Sequence, residues 1–341
     1  MSRVMIVTNS LTGGGAERSM NLISNELYAR GWKISLVPIN SSSDDKIVPL
    51  CEVFPLNRIW RGGVWDTLKA IRRFNFVVKM WKPDVIILNC DLPELFGAFV
   101  RFKSRLVGIE HVNYPWITRP LLGRAIRRVL QLRGVIWVAV SPQLNIWPDN
   151  EKPRVVILNT VGESVAGKDF LRVYNDSIVL NRLVFVGRLT QQKRPSWALE
   201  VSSRTGIPIE IIGDGLLMHK LQLQSDGLLT TFTGMLNDPW KDRDIGDLII
   251  IPSEYEGDGL VVIEALQQGL PILVSDIPEF RRFGFPERNY CESINVFVSR
   301  IEEFRERIED LIIPAEISNT ILLTRSSANV AESWEKFLYS L

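Results

Sequence analysis

The feature that most limits the fold is a repeated unit: a short apolar run rich in Val and Ile, a polar or glycine-rich turn, then a stretch with helical spacing. Val4-Met5-Ile6-Val7 opens the series and leads through Thr8-Asn9-Ser10 into Gly13-Gly14-Gly15. A helical pattern follows through Met20, Ile23, Leu27 and Tyr28, and Gly31 stops it. Similar runs occupy 34–39, 85–88, 106–109, 135–140 and 155–158. Runs apolar on both faces and separated by helices belong to a parallel sheet covered on both sides. The pattern weakens after Asn159, through a polar stretch to about Asn181, and restarts at 183–187, 209–213, 232–234, 248–251 and 272–274. The expected fold is therefore α/β, with two Rossmann-like, doubly wound parallel-sheet domains facing across a cleft. Residues 1–162 form the first, 163–180 a linker, 181–325 the second, and 326–341 a terminal helix.

With 46% hydrophobic and 23% charged residues, the 341-residue chain has the composition of a large globular protein and not of a disordered or disulfide-stapled one. Cys51, Cys90 and Cys291 are far apart and show no C-x-x-C spacing, which fits a reducing cytosol. The first apolar segment is too brief for a signal peptide, and no window offers the ~18 apolar residues of a membrane span. The expectation is a cytoplasmic protein, soluble or held peripherally on the inner face of the membrane. A net charge of +1 argues against a nucleic-acid partner, but it averages two unlike halves. Residues 1–150 carry 20 Lys and Arg against 11 Asp and Glu, whereas 151–341 carry 20 against 28.

Two groups of residues have a use in chemistry. Between the first run and its helix, Gly13 to Gly15 put backbone N–H groups and a helix N-terminus where an anion can sit; Gly14 and Gly15 are the candidates there. The run Gly13-Gly14-Gly15-Ala16-Glu17-Arg18 places Arg18 at the third glycine of the dinucleotide fingerprint, and the second run ends at Asn40 with no acid for a ribose. Dinucleotide binding is thus disfavoured, and a simple tight turn is the plainer alternative. The second group is Gly187-Arg188, Lys193, and Glu256-Gly257-Asp258-Gly259-Leu260 continuing to Glu264. Arg188 and Lys193 can neutralise a diphosphate, one as a planar fork and the other as a mobile point charge. Gly259 admits a phosphate close to the chain, where the N–H groups of Leu260 and Val261 open a helix. Glu256 before that helix and Glu264 within it can hold different parts of an extended ligand. Each alone would pass for surface decoration; the ordered set after successive strands does not.

At these residues the chain resembles the retaining GT-B glycosyltransferases of family 4, over nearly its whole length. The carriers are 13–18, His111 after the 106–109 run, Val-Gly-Arg-Leu with Lys at 186–193, Gly-Asp-Gly at 213–215, and the E-x7-E signature from Glu256 to Glu264, which continues through Pro271 to Ser275-Asp276. The resemblance implies that Arg188 and Lys193 bind the diphosphate of a nucleoside-diphosphate sugar (UDP- or GDP-linked), with backbone help from Gly259, Leu260 and Val261. It further implies that Glu264 holds the ribose, Glu256 the sugar ring, and His111 stands beside the reacting sugar. Gly14 and Gly15 would cap the phosphate or admit the acceptor. The implied chemistry is front-face transfer to a glycan or lipid-linked acceptor in bacterial surface polysaccharide or glycolipid synthesis, with no metal or other cofactor required. The segment around Trp334 and Phe337 looks like the family's last helix, which crosses back to the first domain. Asp258 and Asn159-Thr160 depart from the family pattern. A sugar-nucleotide epimerase on the same fold and a non-catalytic sugar-nucleotide sensor are the alternatives.

The basic excess of the first half is concentrated. Arg119, Arg124, Arg127, Arg128 and Arg133 alternate with Leu122, Ile126, Val129 and Leu130 at helical spacing. Arg58, Arg61, Lys69, Arg72, Arg73, Lys79 and Lys82 interleave with Trp60, Trp65, Phe76 and Trp81. Such faces suit an anionic membrane surface; a core-facing helix with a solvated outer side is the plainer reading.

Overall fold

The computed structural model describes residues 2–40, 47–60, 62–162 and 177–341. Arg61 and the 163–176 part of the expected linker lie outside the described residues. The chain divides into two compact units, Met1–Gly162 with Thr324–Leu341, and Glu163–Leu323.

The first unit runs β1 (Arg3–Thr8), α1 (Gly15–Ala29), β2 (Lys33–Pro38), β3 (Glu52–Val53), α2 (Val64–Trp81), β4 (Val85–Asn89), α3 (Asp91–Ala98), β5 (Arg105–Glu110), α4 (Pro120–Leu132), β6 (Ile136–Ala139) and β7 (Val155–Val156). The second runs β8 (Arg182–Val186), α5 (Pro195–Thr205), β9 (Ile209–Ile212), α6 (Met218–Gln224), β10 (Thr230–Gly234), β11 (Asp247–Ile251), α7 (Leu260–Gln267), β12 (Ile272–Ser275), α8 (Pro278–Arg281), β13 (Tyr290–Cys291), α9 (Ile294–Phe304) and α10 (Ala315–Thr324). The last helix, α11 (Ser327–Ser340), returns to the first unit.

Seven strands in the order β3-β2-β1-β4-β5-β6-β7 make the first sheet, and six in the order β10-β9-β8-β11-β12-β13 make the second. Every pairing is parallel. β1 shows why both faces must be covered, since Val4 to Val7 are all fully buried. Val4 and Ile6 join the core beneath α1 and α11, while Met5 and Val7 join the one beneath α2, α3 and α4. Trp334 and Phe337 of α11 pack with Met20, Ile23 and Leu27 of α1, each large side chain contributing about 1.5–3 kcal/mol of burial. Polar contacts fix the same docking: Arg30 Nη1 donates to Glu335 Oε2 at 2.7 Å, and Trp32 Nε1 to Glu335 Oε1 at 2.8 Å.

Topology also fixes where a ligand can enter. Strand order reverses between β1 and β4 in one sheet and between β8 and β11 in the other. The crevice outside the carboxyl ends at such a reversal is where doubly wound sheets bind ligands.

The structure corrects the reading of the basic segments. Gly123, Ile126, Arg127 and Leu130 form the buried stripe of α4, so Arg127 points inward and is no part of an outer basic face. Burial there is tolerated because Glu94 and Glu110 face it, at 2.6 Å each. Trp81 is also buried, and its Nε1 donates to Glu52 Oε2 at 2.7 Å. Among the described residues no helix is long and apolar enough to cross a membrane.

Candidate functional site

In the second unit the reversal point gathers three loops. The loop after β8 carries Gly187, Arg188 and Lys193, and the loop after β11 carries Ser253 to Gly259. Gln192 staples them: its carbonyl accepts from Glu254 N at 2.8 Å, and its Nε2 donates to Tyr255 O at 3.0 Å. The loop after β9 closes on the first so tightly that only glycine fits. Gly213 has φ +139°, and a Cβ there would lie 1.9 Å from Gly187 O.

The staple brings Lys193 and Glu256 together across 63 positions of sequence, with Nζ 2.5 Å from Oε1. Ser253 Oγ donates to the same oxygen at 2.7 Å. Glu256 is buried, while the Lys193 side chain retains some exposure. Glu279 of α8 is buried nearby; burial pushes its carboxyl up, and the negative charge of Glu256 adds to the rise. Gly259 is the N-cap of α7 at φ +66°, and a Cβ would meet Phe280 at 2.8 Å. Leu260 and Val261 therefore open the helix with their N–H groups at its N-terminus. Glu264, on the second turn, is buried and accepts from Trp240 Nε1 at 3.2 Å. Arg188 is exposed one residue past Gly187, and the structure does not bring it into the Lys193–Glu256 pair. Asp258 has a structural partner: Arg282 Nη2 donates to its Oδ1 at 2.6 Å and to its carbonyl at 2.8 Å, fixing the turn before Gly259.

In the first unit the corresponding reversal carries the glycine loop. Gly14 is the N-cap of α1 and Gly15 its first residue. Glu17 holds the loop shut, accepting from Ser10 N at 3.0 Å, Ser10 Oγ at 2.8 Å and Gly14 N at 3.1 Å. Burial raises the Glu17 carboxyl, opposed by those same donors. His111 follows β5, and its Nε2 lies 2.7 Å from Asn89 Oδ1 at the end of β4. Asn89 Nδ2 donates to Ala16 O at 3.3 Å. A carbonyl only accepts, so the amide nitrogen must face Ala16, and Oδ1 then requires a proton on His111 Nε2. Asn159 and Thr160 are tied to the start of α11: Thr160 Oγ1 donates to Arg325 O at 2.8 Å, and Arg325 Nη1 donates to Asn159 O at 3.2 Å.

Sequence reasoning did not single out Glu17, Asn89, Trp240, Ser253, Glu279 or Arg282. Ser253, three residues before Glu256 at the end of an apolar run, was the most findable. Glu17 lies inside the 13–18 motif and is held by local donors, whereas Asn89, Trp240 and Arg282 are placed by pairing across the fold, as with Trp240 and Glu264, 24 positions apart.

Two parallel doubly wound sheets, with a cation–carboxylate pair at one reversal and a glycine loop at the other, make a GT-B fold. The comparisons make the class specific: residues 179–313 match the model of the glycosyl transferases group 1 family, so the second unit is a group 1 glycosyltransferase domain. A glycosyltransferase of Haemophilus influenzae is 22% identical over 321 residues, covering 85% of this chain and 86% of its own. The amylovoran biosynthesis glycosyltransferase AmsD of Erwinia amylovora is 21% identical over 306 residues, 81% of each. Among solved structures, Anabaena HepE in complex with UDP and glucose superposes with a TM-score of 0.76 at 17% identity, covering all of both chains, which shows a shared fold.

Proposed function

We propose that the protein is a retaining glycosyltransferase that moves a sugar from a nucleoside-diphosphate sugar to a glycan or lipid-linked acceptor in bacterial surface polysaccharide or glycolipid synthesis, working at the cytoplasmic face of the membrane. The observation that carries this reading is the Lys193–Glu256 contact at the β8/β11 reversal, inside the region that matches the family. The UDP and glucose in the HepE complex support a UDP-sugar as the donor to test first.

Breaking the bond between the anomeric carbon and the phosphate oxygen leaves an oxocarbenium-like sugar and a diphosphate whose charge grows as the bond lengthens. Fixed positive charge on that diphosphate is the main contribution to rate. Lys193 exchanges its carboxylate partner for the phosphate, joined by Arg188 and by the N–H groups of Leu260 and Val261. Glu256, released from the ammonium, accepts hydroxyls of the sugar ring, and Glu264 those of the ribose. The acceptor hydroxyl attacks from the face the diphosphate leaves, and its proton passes to the departing phosphate oxygen. His111, with a proton on Nε2, remains the residue proposed to stand beside the reacting sugar. Unlike a glycosidase, the site needs no protein acid for the leaving group, because a nucleoside diphosphate is already a good leaving group and the proton it takes is the acceptor's.

The test is a panel of UDP- and GDP-sugars, read first as thermal shift and then as acceptor-dependent nucleotide release. A donor at 100 times its Kd stabilises the fold by about 2.7 kcal/mol. Lys193→Ala and Glu256→Ala should each lower turnover by roughly 10²–10³-fold in a folded protein. Near wild-type turnover from either overturns the assignment. Conversion of donor without acceptor would mark an epimerase, and binding without release a sensor.

A further inference from the structure

The connection from β10, at the edge of the second sheet, to β11 near its centre carries no helix, so side chains have to fix its path. Two of them do so, one on either side of Trp240. Asp238 makes the turn before it, its Oδ1 accepting from Trp240 N at 3.0 Å and from Lys241 N at 3.2 Å. Beyond it, Arg243 grips Glu210 of β9 with both Nη atoms, at 2.7 and 3.0 Å, and both residues are buried. Asp238 and Lys241 are exposed, whereas Pro239 and Trp240 between them are buried. The segment is thus pinned on both sides of a tryptophan that it turns inward.

Packing alone does not explain that tryptophan. Trp240 belongs to none of the apolar clusters that form the cores of the two sheets, although it is buried. Its polar atom ends instead on Glu264, Nε1 donating to Oε2 at 3.2 Å. An indole can only donate, and an ionised carboxylate accepts through about four lone pairs. The contact therefore uses one lone pair of Glu264 and holds the carboxylate without competing for hydroxyl protons. Having no acceptor of its own, the indole can serve a hydroxyl-bearing ligand only through Glu264. A carboxylate aimed before its ligand arrives has less side-chain freedom to lose on binding.

We propose that Trp240 is a positioning residue for the donor: its indole N–H aims the Glu264 carboxylate at the ribose hydroxyls, and the Asp238 turn and the Arg243–Glu210 fork hold the indole in place. The inference rests on the ribose role given to Glu264 in the proposed function and adds the group that makes this role selective. It assigns the 235–246 connection a part in choosing a ribose-bearing nucleotide over one without vicinal hydroxyls. The ribose is remote from the reacting carbon, so the effect falls on donor affinity, unlike that of a residue beside the anomeric centre.

Calorimetric titration of the full chain with UDP and with 2′,3′-dideoxy-UDP tests this, the GDP pair taking their place if UDP does not bind. The wild type should prefer UDP. Trp240→Phe, which keeps a large ring and removes the N–H, should raise the Kd for UDP by roughly five- to ten-fold and leave that for dideoxy-UDP unchanged. In a Glu264→Gln background the same substitution should change neither. Equal weakening of both ligands would make Trp240 a merely structural residue, and an unchanged Kd for UDP would make its hydrogen bond idle; either result overturns the proposal. If Trp240→Phe does not fold, Asp238→Ala at its exposed position should reproduce the loss of preference in smaller measure, with Asp238→Asn restoring it. Unchanged preference in folded Asp238→Ala would then count against the proposal in the same way. A wild type that binds the two ligands alike, or binds no nucleoside diphosphate, would instead sink the ribose role of Glu264 in the proposed function, and this inference with it.

Discussion

Each unit buries a cation among carboxylates close to the ends of its strands, and the two clusters are finished differently. In the first unit Arg127 is closed off and spends its donors completely. Nε and Nη2 grip Glu94, Nη1 and Nη2 reach Glu110, and Nη1 also meets Trp147 O at 2.6 Å. Its guanidinium carbon lies over the Trp137 ring, 4.2 Å from the centroid, and Trp116 Nε1 donates to Glu94 at 2.7 Å. In the second unit Lys193 gives Glu256 one short contact and keeps an exposed side. A planar fork with five donors suits a cluster that never opens; a point charge on a flexible stem suits one that, in the proposed function, trades a carboxylate for a phosphate. The contrast separates a fastening from a proposed binding site by saturation, since both are charged and largely buried.

The contrast breaks most readily at Arg127. Arg127→Ala leaves two buried carboxylates without a cation and should cost about 3–5 kcal/mol of stability, read by denaturant titration. Nucleotide release per folded molecule should stay near wild type, the reverse of the outcome at Lys193. A large loss of turnover in folded Arg127→Ala would show that the first cluster also serves the reaction.

A smaller effect appears in the pH dependence. Two carboxylates share one guanidinium, and burial pushes the Glu110 carboxyl up to about 7, opposed by Arg127 and assisted by Glu94. The native state thus holds a proton that the unfolded chain releases nearer 4.5. Stability from this group is complete below the lower value and declines as pH rises toward 7, by up to about 1.4 kcal/mol per pH unit. Glu110→Gln should flatten that part of the melting-temperature profile. An unchanged profile would mean that both carboxylates are ionised throughout and that the cluster is less isolated from water than its burial implies.

The fold was legible because backbone chemistry imposes it. Fully buried parallel strands must be apolar on both faces, and Val4 to Val7 or 248–251 admit no other reading. The Lys193–Glu256 site was legible because its residues fall on loops after consecutive strands, where spacing and position coincide. Arg127 was misread because helical spacing gives an angle and not a partner. It lies on the stripe with Ile126 and Leu130, and only the fold shows Glu94 and Glu110 waiting there, 33 and 17 positions away. Asn89 escaped for the same reason, since its importance lies in His111 and Ala16, brought near by strand order alone.

The finest test of the comparison is Ser253, which shares Glu256 Oε1 with Lys193. In the proposed function Lys193 turns to the diphosphate, and Ser253 is then the donor left to keep the carboxylate oriented toward the sugar. Ser253→Ala removes one buried hydrogen bond to a charged acceptor, and because Lys193 still holds the same oxygen its stability cost should be about 1.5 kcal/mol. The kinetic effect should exceed that of a merely structural residue and fall on turnover with little change in donor affinity, because Glu256 would still be present but less well aimed. Ser253→Thr, which keeps the hydroxyl, should restore most of the rate. If both variants lower donor affinity and leave turnover alone, Ser253 acts on the bound ground state and the exchange of Lys193 between partners is not what drives transfer.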